Sequence, residues 1–216
     1  MHNKLNWNPH CIDILAKATV RFNLLRRTCH FVSNIAKKRT LYITLVRSLF
    51  EHGSVVWSPS CLKTIGKFEA FQKRCIKWIL KEQFKSYERS EYIIKLKELD
   101  ILPMKYKFLY TDLVLFHKIV HHLIPIDMPQ YVETKCNTRA SKSDTLIFKI
   151  SSEIGNQKRV FYSNFFARCI SPWNILPVEL RHSNNSKLFT SGLKSYIWDC
   201  VIELPDNDLS FEFEPD

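Results

Sequence analysis

The chain has 216 residues, of which 45% are hydrophobic and 13% aromatic, and its formal net charge is +11. This composition excludes an intrinsically disordered chain and is sufficient for one large or two small folded domains. The charge is uneven, because residues 1–90 carry 17 basic and 5 acidic groups, whereas residues 199–216 carry 7 acidic groups and no basic one. A basic body favours contact with nucleic acid, although a merely solvated basic surface has the same composition.

The first two predicted helices lie in this basic part. Apolar residues at helical spacing predict one helix over residues 10–31. Its last turns contain Arg26 and Arg27, where cations interact favourably with the helix dipole. A second helix is predicted over residues 37–52, and the pair Arg47 and Glu51 lies off its apolar face. Its first turn carries Lys37, Lys38 and Arg39, and its apolar face carries Leu41, Leu45 and Leu49.

The third predicted helix, residues 61–85, follows Trp57 and Pro59 and separates charged from apolar side chains most cleanly. At 100° per residue its cations fall within one stripe about 80° wide. The stripe contains Lys63, Lys67, Arg74, Lys77, Lys81 and Lys85, and the opposite side contains Ile65, Phe68, Cys75, Ile76 and Ile79. Such a row predicts a track for a phosphate backbone, with a solvated face as the alternative.

Two more helices are predicted over residues 89–99 and 104–123. Asp112 falls within the apolar face of the second of these, so we predict a buried ion pair with an Arg or Lys of a neighbouring helix. His117 and His121 share a face but have no Cys or carboxylate at ligand spacing. They are interpreted as solvated surface histidines.

The carboxyl-terminal half is less regular. The pattern predicts a linker with one strand at residues 145–150, a mixed segment at 159–170, and a final helix at 186–201 whose face carries Leu188, Phe189, Leu193 and Ile197. The fold class is therefore mainly α, with a helical bundle-like region followed by a smaller α+β part containing a short strand or hairpin. The predicted divisions are 1–124 (helical), 125–158 (linker or exposed loop), 159–202 (carboxyl-terminal subdomain) and 203–216 (acidic, disordered tail).

The seven cysteines show no CxxC spacing, and no secretory leader is recognisable. This favours an intracellular chain, cytoplasmic or nuclear and not secreted, with reduced thiols. No Cys/His set has zinc-ligand spacing, and no apolar run reaches transmembrane length. We therefore expect no metal, no membrane and no small-molecule substrate.

Several segments occur in the order found downstream of the polymerase palm in non-LTR, jockey-like retrotransposon reverse transcriptases. Residues 5–27 read LNWNPHCIDILAKATVRFNLLRR, residues 41–59 read LYITLVRSLFEHGSVVWSP, and residues 164–193 read NFFARCISPWNILPVELRHSNNSKLFTSGL. Residues 86–120 also resemble the family. The match spans about residues 5–200, and Trp57, Pro59, Asp112, Trp173, Asn174 and Pro177 fall on family landmark positions. His52, Lys105, Lys107 and His117 depart from the family pattern.

The resemblance implies that residues 1–124 form a thumb-like region that supports an RNA or DNA template–primer beside a palm domain. Its implied phosphate contacts are Arg26, Arg27, Lys37, Lys38, Arg39, Lys63, Lys67, Arg74, Lys77, Lys81 and Lys85. The family's palm holds Mg²⁺ with paired aspartates, and no adjacent Asp pair occurs in this sequence. We therefore expect a non-catalytic fragment of an RNA-directed DNA polymerase, without a cofactor of its own.

Two other interpretations stay open. The chain could be a degenerate copy without activity, or a helical module co-opted for binding another protein. The second requires an exposed apolar surface, which loss of the palm would leave. A metal-dependent enzyme is the third and weakest interpretation.

Overall fold

A computed structural model describes residues 7–59, 61–81, 88–134, 146–151 and 164–203. These residues are mainly helical and contain one small antiparallel sheet, which confirms the predicted fold class. The helices are α1 (Asn8–Thr28), α2 (Ile35–Leu41), a π-helix (Tyr42–Arg47), α3 (Ser48–Glu51), α4 (Ser54–Trp57), α5 (Leu62–Leu80), α6 (Arg89–Glu98), α7 (Met104–Val120), α8 (Phe165–Ile175), α9 (Val178–Arg181) and α10 (Ser186–Glu203). The strands are β1 (Val132–Thr134) and β2 (Phe148–Ile150).

The chain divides into two compact units, Met1–Phe108 and Leu109–Asp216. The division between these units therefore falls within α7. The reason is that the two parts of α7 have different partners. Phe108 packs on Trp57 in the first unit, whereas Phe116 packs on Trp173 in the second, with ring centroids 5.6 and 5.2 Å apart.

Aromatic rings form the centre of the first unit. Phe50 contacts Phe68 and Phe71 edge to face, with centroids 5.0 and 5.5 Å apart, and Phe22 of α1 reaches Phe71 at 5.8 Å. All four rings are buried. Since burial of a large apolar side chain stabilises a fold by about 1.5–3 kcal/mol, these contacts hold α1, α3 and α5 together.

The π-helix changes which residues of the second predicted helix face the core. An i→i+5 repeat places Arg47 on the same side as Tyr42, and both are buried. Leu45, predicted for the apolar face, is instead 47% exposed. The pair Arg47 Nε to Glu51 Oε1 does form, at 3.1 Å, but Arg47 lies inside the unit and also donates to Leu102 O at 3.0 Å.

A polar network fixes α5 against the segment before α7. Gln72 is fully buried; it accepts from Tyr42 Oη at 3.1 Å and donates to Leu102 O at 3.2 Å. Glu69 accepts from Tyr92 Oη and from the Met104 amide, each at 2.6 Å. Burial raises the pKa of Glu69, and these two hydrogen bonds oppose that rise. The carboxylate of Glu69 therefore points inward, away from the exposed face of α5.

The second unit is built around α8. Trp173 is fully buried, and its Nε1 donates to Leu146 O at 2.8 Å. Asn174 binds β2 by both ends of its amide, donating to Phe148 O at 2.8 Å and accepting from Phe148 N at 3.1 Å. In the hairpin, Val132 pairs with Ile150 and Thr134 with Phe148.

The sequence located most of these elements but not every boundary. Of the strand predicted at 145–150, residues Phe148–Ile150 form β2. In α10 the predicted face is confirmed for Phe189, Leu193 and Ile197, whereas Leu188 is 67% exposed and Trp198 is buried instead. Lys85, most of the predicted linker, the segment before Asn164 and the acidic tail after Glu203 lie outside the described residues. Among the described helices, none has the length and apolarity needed to cross a bilayer.

Candidate nucleic-acid interface

The basic stripe of α5 is exposed as its periodicity predicts. Within the described residues it consists of Lys63, Lys67, Arg74, Lys77 and Lys81, which we call the α5 ridge. All are exposed except Lys77, which is half-buried. Small residues between them keep the surface open: Ala70 is exposed, and a Cβ added at Gly66 would meet no atom within 4 Å. The ridge is therefore accessible along its length.

The opposite side of α5 anchors the ridge to the core. Phe68, Cys75, Ile76 and Ile79 are fully buried, as predicted, and Ile65 is half-buried. Glu69 is the only acidic residue of α5, and its carboxylate is engaged inside the unit. The ridge therefore carries cations without an acidic neighbour on its own helix, which concentrates positive potential along the exposed face.

The cations of α1 extend this surface. Arg26 and Arg27 are both exposed, and the Arg26 guanidinium lies 5.8 Å from the ring centroid of Phe22. Because α1 packs on α5, Arg26 lines the same cleft as Arg74 and Lys81. Arg27 does not line this cleft. The sequence alone could not show this convergence, since these residues are far apart along the chain.

Lys38 was predicted as a phosphate contact, and its position argues against that role. Only 4% of its surface is exposed, and its Nζ donates to Trp78 O at 2.8 Å. The same Nζ lies 4.9 Å from the ring centroid of Trp78. Lys38 therefore adds a second donor to a carbonyl at the end of α5 that already accepts from the Lys81 amide at 3.4 Å, and it stabilises the fold. Burial, and secondarily the charge of Lys81, lowers its pKa.

Arg39 is likewise committed to structure. Its Nε donates to Leu99 O, and one terminal nitrogen lies 3.3 Å from Asp100 O and 3.5 Å from an Asp100 carboxylate oxygen. These contacts close the end of α6 and engage Arg39 in the fold; its side chain is 32% exposed, and its role as a phosphate contact stays a prediction. Lys37, one residue before Lys38, is exposed and stays a candidate.

Two of the family landmark residues, Trp57 and Pro59, fix the turn before α5. Trp57 is 4% exposed, and its Nε1 donates to His52 O at 3.0 Å. Pro59 is buried as well. Gly53, at φ 63°, allows the left-handed turn between α3 and α4. These residues position the beginning of the ridge and leave no group free for chemistry.

Asp112 forms the buried ion pair predicted from the helical wheel, with Arg168 of α8. Arg168 Nε lies 2.8 Å from one carboxylate oxygen and its terminal nitrogen 3.1 Å from the other. Burial raises the pKa of Asp112, and the bidentate pair with Arg168 opposes that rise. Of the other residues that the resemblance singled out, Trp173 donates to Leu146 O just before β2, Asn174 bonds Phe148 of β2, and Pro177 immediately precedes α9.

His117 and His121 are not the solvated histidines that the sequence suggested. His117 is fully buried, and its Nε2 donates to Ser183 O at 2.6 Å. Its ring stacks on Phe189 with centroids 3.9 Å apart, and His121 Nε2 bonds Arg181 O at 2.8 Å. His117 therefore ties α7 to the segment after α9, and His121, just after α7, bonds the last residue of α9. Among the described residues, no group of three or more His, Cys, Asp or Glu side chains could hold a metal ion.

No family model matches the sequence, and neither the curated proteins nor the solved structures include a match to it. The likeness to retrotransposon reverse transcriptases therefore stays a prediction that rests on the four motif segments.

Proposed function

We propose that this chain is a non-catalytic nucleic-acid-binding part of a non-LTR retrotransposon reverse transcriptase, in which it holds the phosphate backbone of the template–primer. The observation that carries the proposal is the α5 ridge, an exposed row of cations on a helix whose only carboxylate is turned inward. The motif order around the ridge supports the choice of family.

The dimensions of the ridge suit a nucleic-acid strand. Residues 63 to 81 span about 27 Å along a helix at 1.5 Å per residue. One strand of a duplex presents a phosphate about every 3.4 Å of axis, so the ridge can follow about eight nucleotides. Cations in such a row repel one another, and an anionic backbone relieves that repulsion. Contacts of this kind read charge and shape, so binding is expected to be indifferent to base sequence.

Binding of a labelled RNA–DNA hybrid, measured by fluorescence anisotropy, tests the proposal. Reversal of one ridge charge in Lys67→Glu is expected to weaken binding about tenfold, because it removes one phosphate contact and adds a repulsive one. Lys187→Glu is the matched control, since Lys187 is an exposed lysine of the second unit outside the ridge. Equal affinities of the two variants would contradict the proposal, and so would metal-dependent polymerase activity of the purified chain.

A second candidate function is the co-opted protein-binding module. It is favoured by large apolar side chains of the first unit that are exposed: Ile12, Val20, Leu24, Phe31, Ile35 and Leu45. Exposed apolar surface of this kind marks binding sites for proteins when it is contiguous. Multi-angle light scattering separates the candidates, since a protein-binding module is expected to self-associate when its partner is missing. A chain that stays monomeric to high concentration and binds the hybrid would count against the second candidate.

A further inference from the structure

A cleft at the carboxyl-terminal end of α5 gathers cations from three helices. It has a volume of about 440 Å³, within the size range of small-ligand sites. Arg26 reaches it from α1, Lys38 from α2, and Arg74, Lys77 and Lys81 from α5 and its cap. His30, which follows α1, also lines the cleft. No acidic side chain is among the described residues that line it.

The cleft differs from the rest of the ridge in geometry. Lys63 and Lys67 follow one another along a helix, so each can meet a different phosphate of a strand. Arg26, Arg74 and Lys81 instead surround one space, so several donors can reach a single group. Concave surfaces lined by one sign of charge also focus the field more strongly than a convex helix face.

The position of Lys38 raises the positive potential of the cleft floor. Its Nζ lies 2.8 Å from Trp78 O and 4.9 Å from the centroid of the Trp78 ring, at a buried position. The charge of Lys81 contributes to lowering its pKa, so the two ammonium groups repel each other across the cleft. An anion bound in the cleft would relieve this repulsion without direct contact to Lys38.

We propose that this cleft binds the terminal phosphate monoester of a nucleic-acid strand, at its 5′ or 3′ end; this proposal rests on the proposed function. A terminal monoester carries about two negative charges and three free oxygens, whereas an internal diester carries one charge. The donors that line the cleft include the guanidinium groups of Arg26 and Arg74, and they suit the monoester because Arg can bind phosphate through two parallel hydrogen bonds. The half-buried indole of Trp78 beside the cleft offers a ring surface for the base that carries the phosphate.

The test compares oligonucleotide duplexes of one sequence that differ only in their ends: hydroxyl at both, 5′-phosphate, or 3′-phosphate. The chain is expected to bind one of the phosphorylated forms about tenfold more tightly, the effect of one hydrogen bond to a charged group. Arg26→Gln and Lys81→Asn are expected to abolish this preference, and Asn also suits the positive φ of 58° at residue 81. Lys63→Gln is expected to weaken all forms equally and to keep the preference.

Competition identifies the source of the phosphate. Adenosine monophosphate is expected to compete with the end-phosphorylated duplex but not with the duplex that has hydroxyl ends, and adenosine is expected to compete with neither. This result would support the cleft as a phosphate monoester site that also accepts free nucleotides. Salt-sensitive binding that is equal for all ends would overturn this inference and leave the proposed function standing. No binding to any duplex would overturn both. Circular dichroism of each variant at the temperature of the assay verifies that a lost preference does not come from unfolding.

Discussion

The charged groups of α5 in the first unit and of α7 in the second are placed in opposite ways. In the first unit the cations of the α5 ridge lie at the surface, and the one carboxylate of that helix is turned inward. In the second unit Asp112 is buried and forms an ion pair with the largely buried Arg168 between α7 and α8. An exposed row of like charges repels itself and is open to an anionic partner, whereas the pair between Asp112 and Arg168 links two helices. The difference locates the candidate binding surface in the first unit.

The largest expected effect comes from breaking the buried pair. Asp112→Ala leaves the Arg168 guanidinium without its carboxylate and should lower the free energy of unfolding by about 3–5 kcal/mol. Urea denaturation followed by circular dichroism measures this. Asp13→Ala is the matched control, because Asp13 pairs with Lys17 at 2.7 Å on the surface, with side chains 54% and 64% exposed. Its loss should cost about 0–1 kcal/mol, and similar costs for both variants would remove the contrast between the units.

A smaller effect separates two adjacent lysines that the sequence could not distinguish. Lys38→Met keeps the aliphatic stem but removes the Nζ donor to Trp78 O, which is left with only the longer bond from the Lys81 amide, so the free energy of unfolding should fall by about 1 kcal/mol. Lys37→Met, at an exposed position, should change it by less than about 0.5 kcal/mol. Thermal unfolding of both variants checks the difference. A Lys38 variant as stable as the Lys37 variant would restore Lys38 as a surface contact.

The smallest expected effect is a pH dependence of the second unit. Burial lowers the pKa of His117, so the unfolded chain binds a proton there more readily than the folded one. The stability contributed by neutral His117 is therefore complete above about pH 6.5, and it is lost as the pH falls through the lower pKa of the folded state. The urea midpoint should fall between pH 7.5 and pH 5.

His117→Gln tests the origin of that decrease. The variant should lose part of the pH dependence, whereas His52→Gln, at an exposed histidine, should keep all of it. An unchanged pH profile in the His117 variant would assign the decrease to other groups. The comparison is made on the slope, since any change at a buried ring also shifts the absolute stability.

Helical periodicity predicted α1, α5, α7 and α10 because their apolar faces repeat with a regular helical period. It failed where that period changes, since the π-helix turns Arg47 inward and Leu45 outward. Periodicity also cannot show which charged groups close helix ends. Lys37 and Lys38 look alike in sequence, but only Lys38 lies where α5 ends. The convergence of Arg26 with Lys81 needed the packing of α1 on α5, which no local pattern reports.

The pairing of Asp112 was predictable in kind but not in partner. A carboxylate among apolar residues requires a cation or hydrogen bonds, and that requirement follows from desolvation alone. The choice of Arg168 depends on how α8 packs on α7, and Arg168 lies 56 positions further along the chain. The prediction that His117 is solvated was wrong because histidine occurs both at surfaces and in cores, so the residue type does not show whether the side chain is buried.

The most direct test of the account is the salt dependence of hybrid binding. If the α5 ridge neutralises about four phosphates, the logarithm of the association constant should fall with the logarithm of salt concentration with a slope of about −4. The double variant Lys63→Gln/Lys67→Gln should reduce the magnitude of this slope by about two, because each lysine accounts for about one released counterion. A slope near zero, or one that the double variant leaves unchanged, would contradict the assignment of the ridge as a phosphate track.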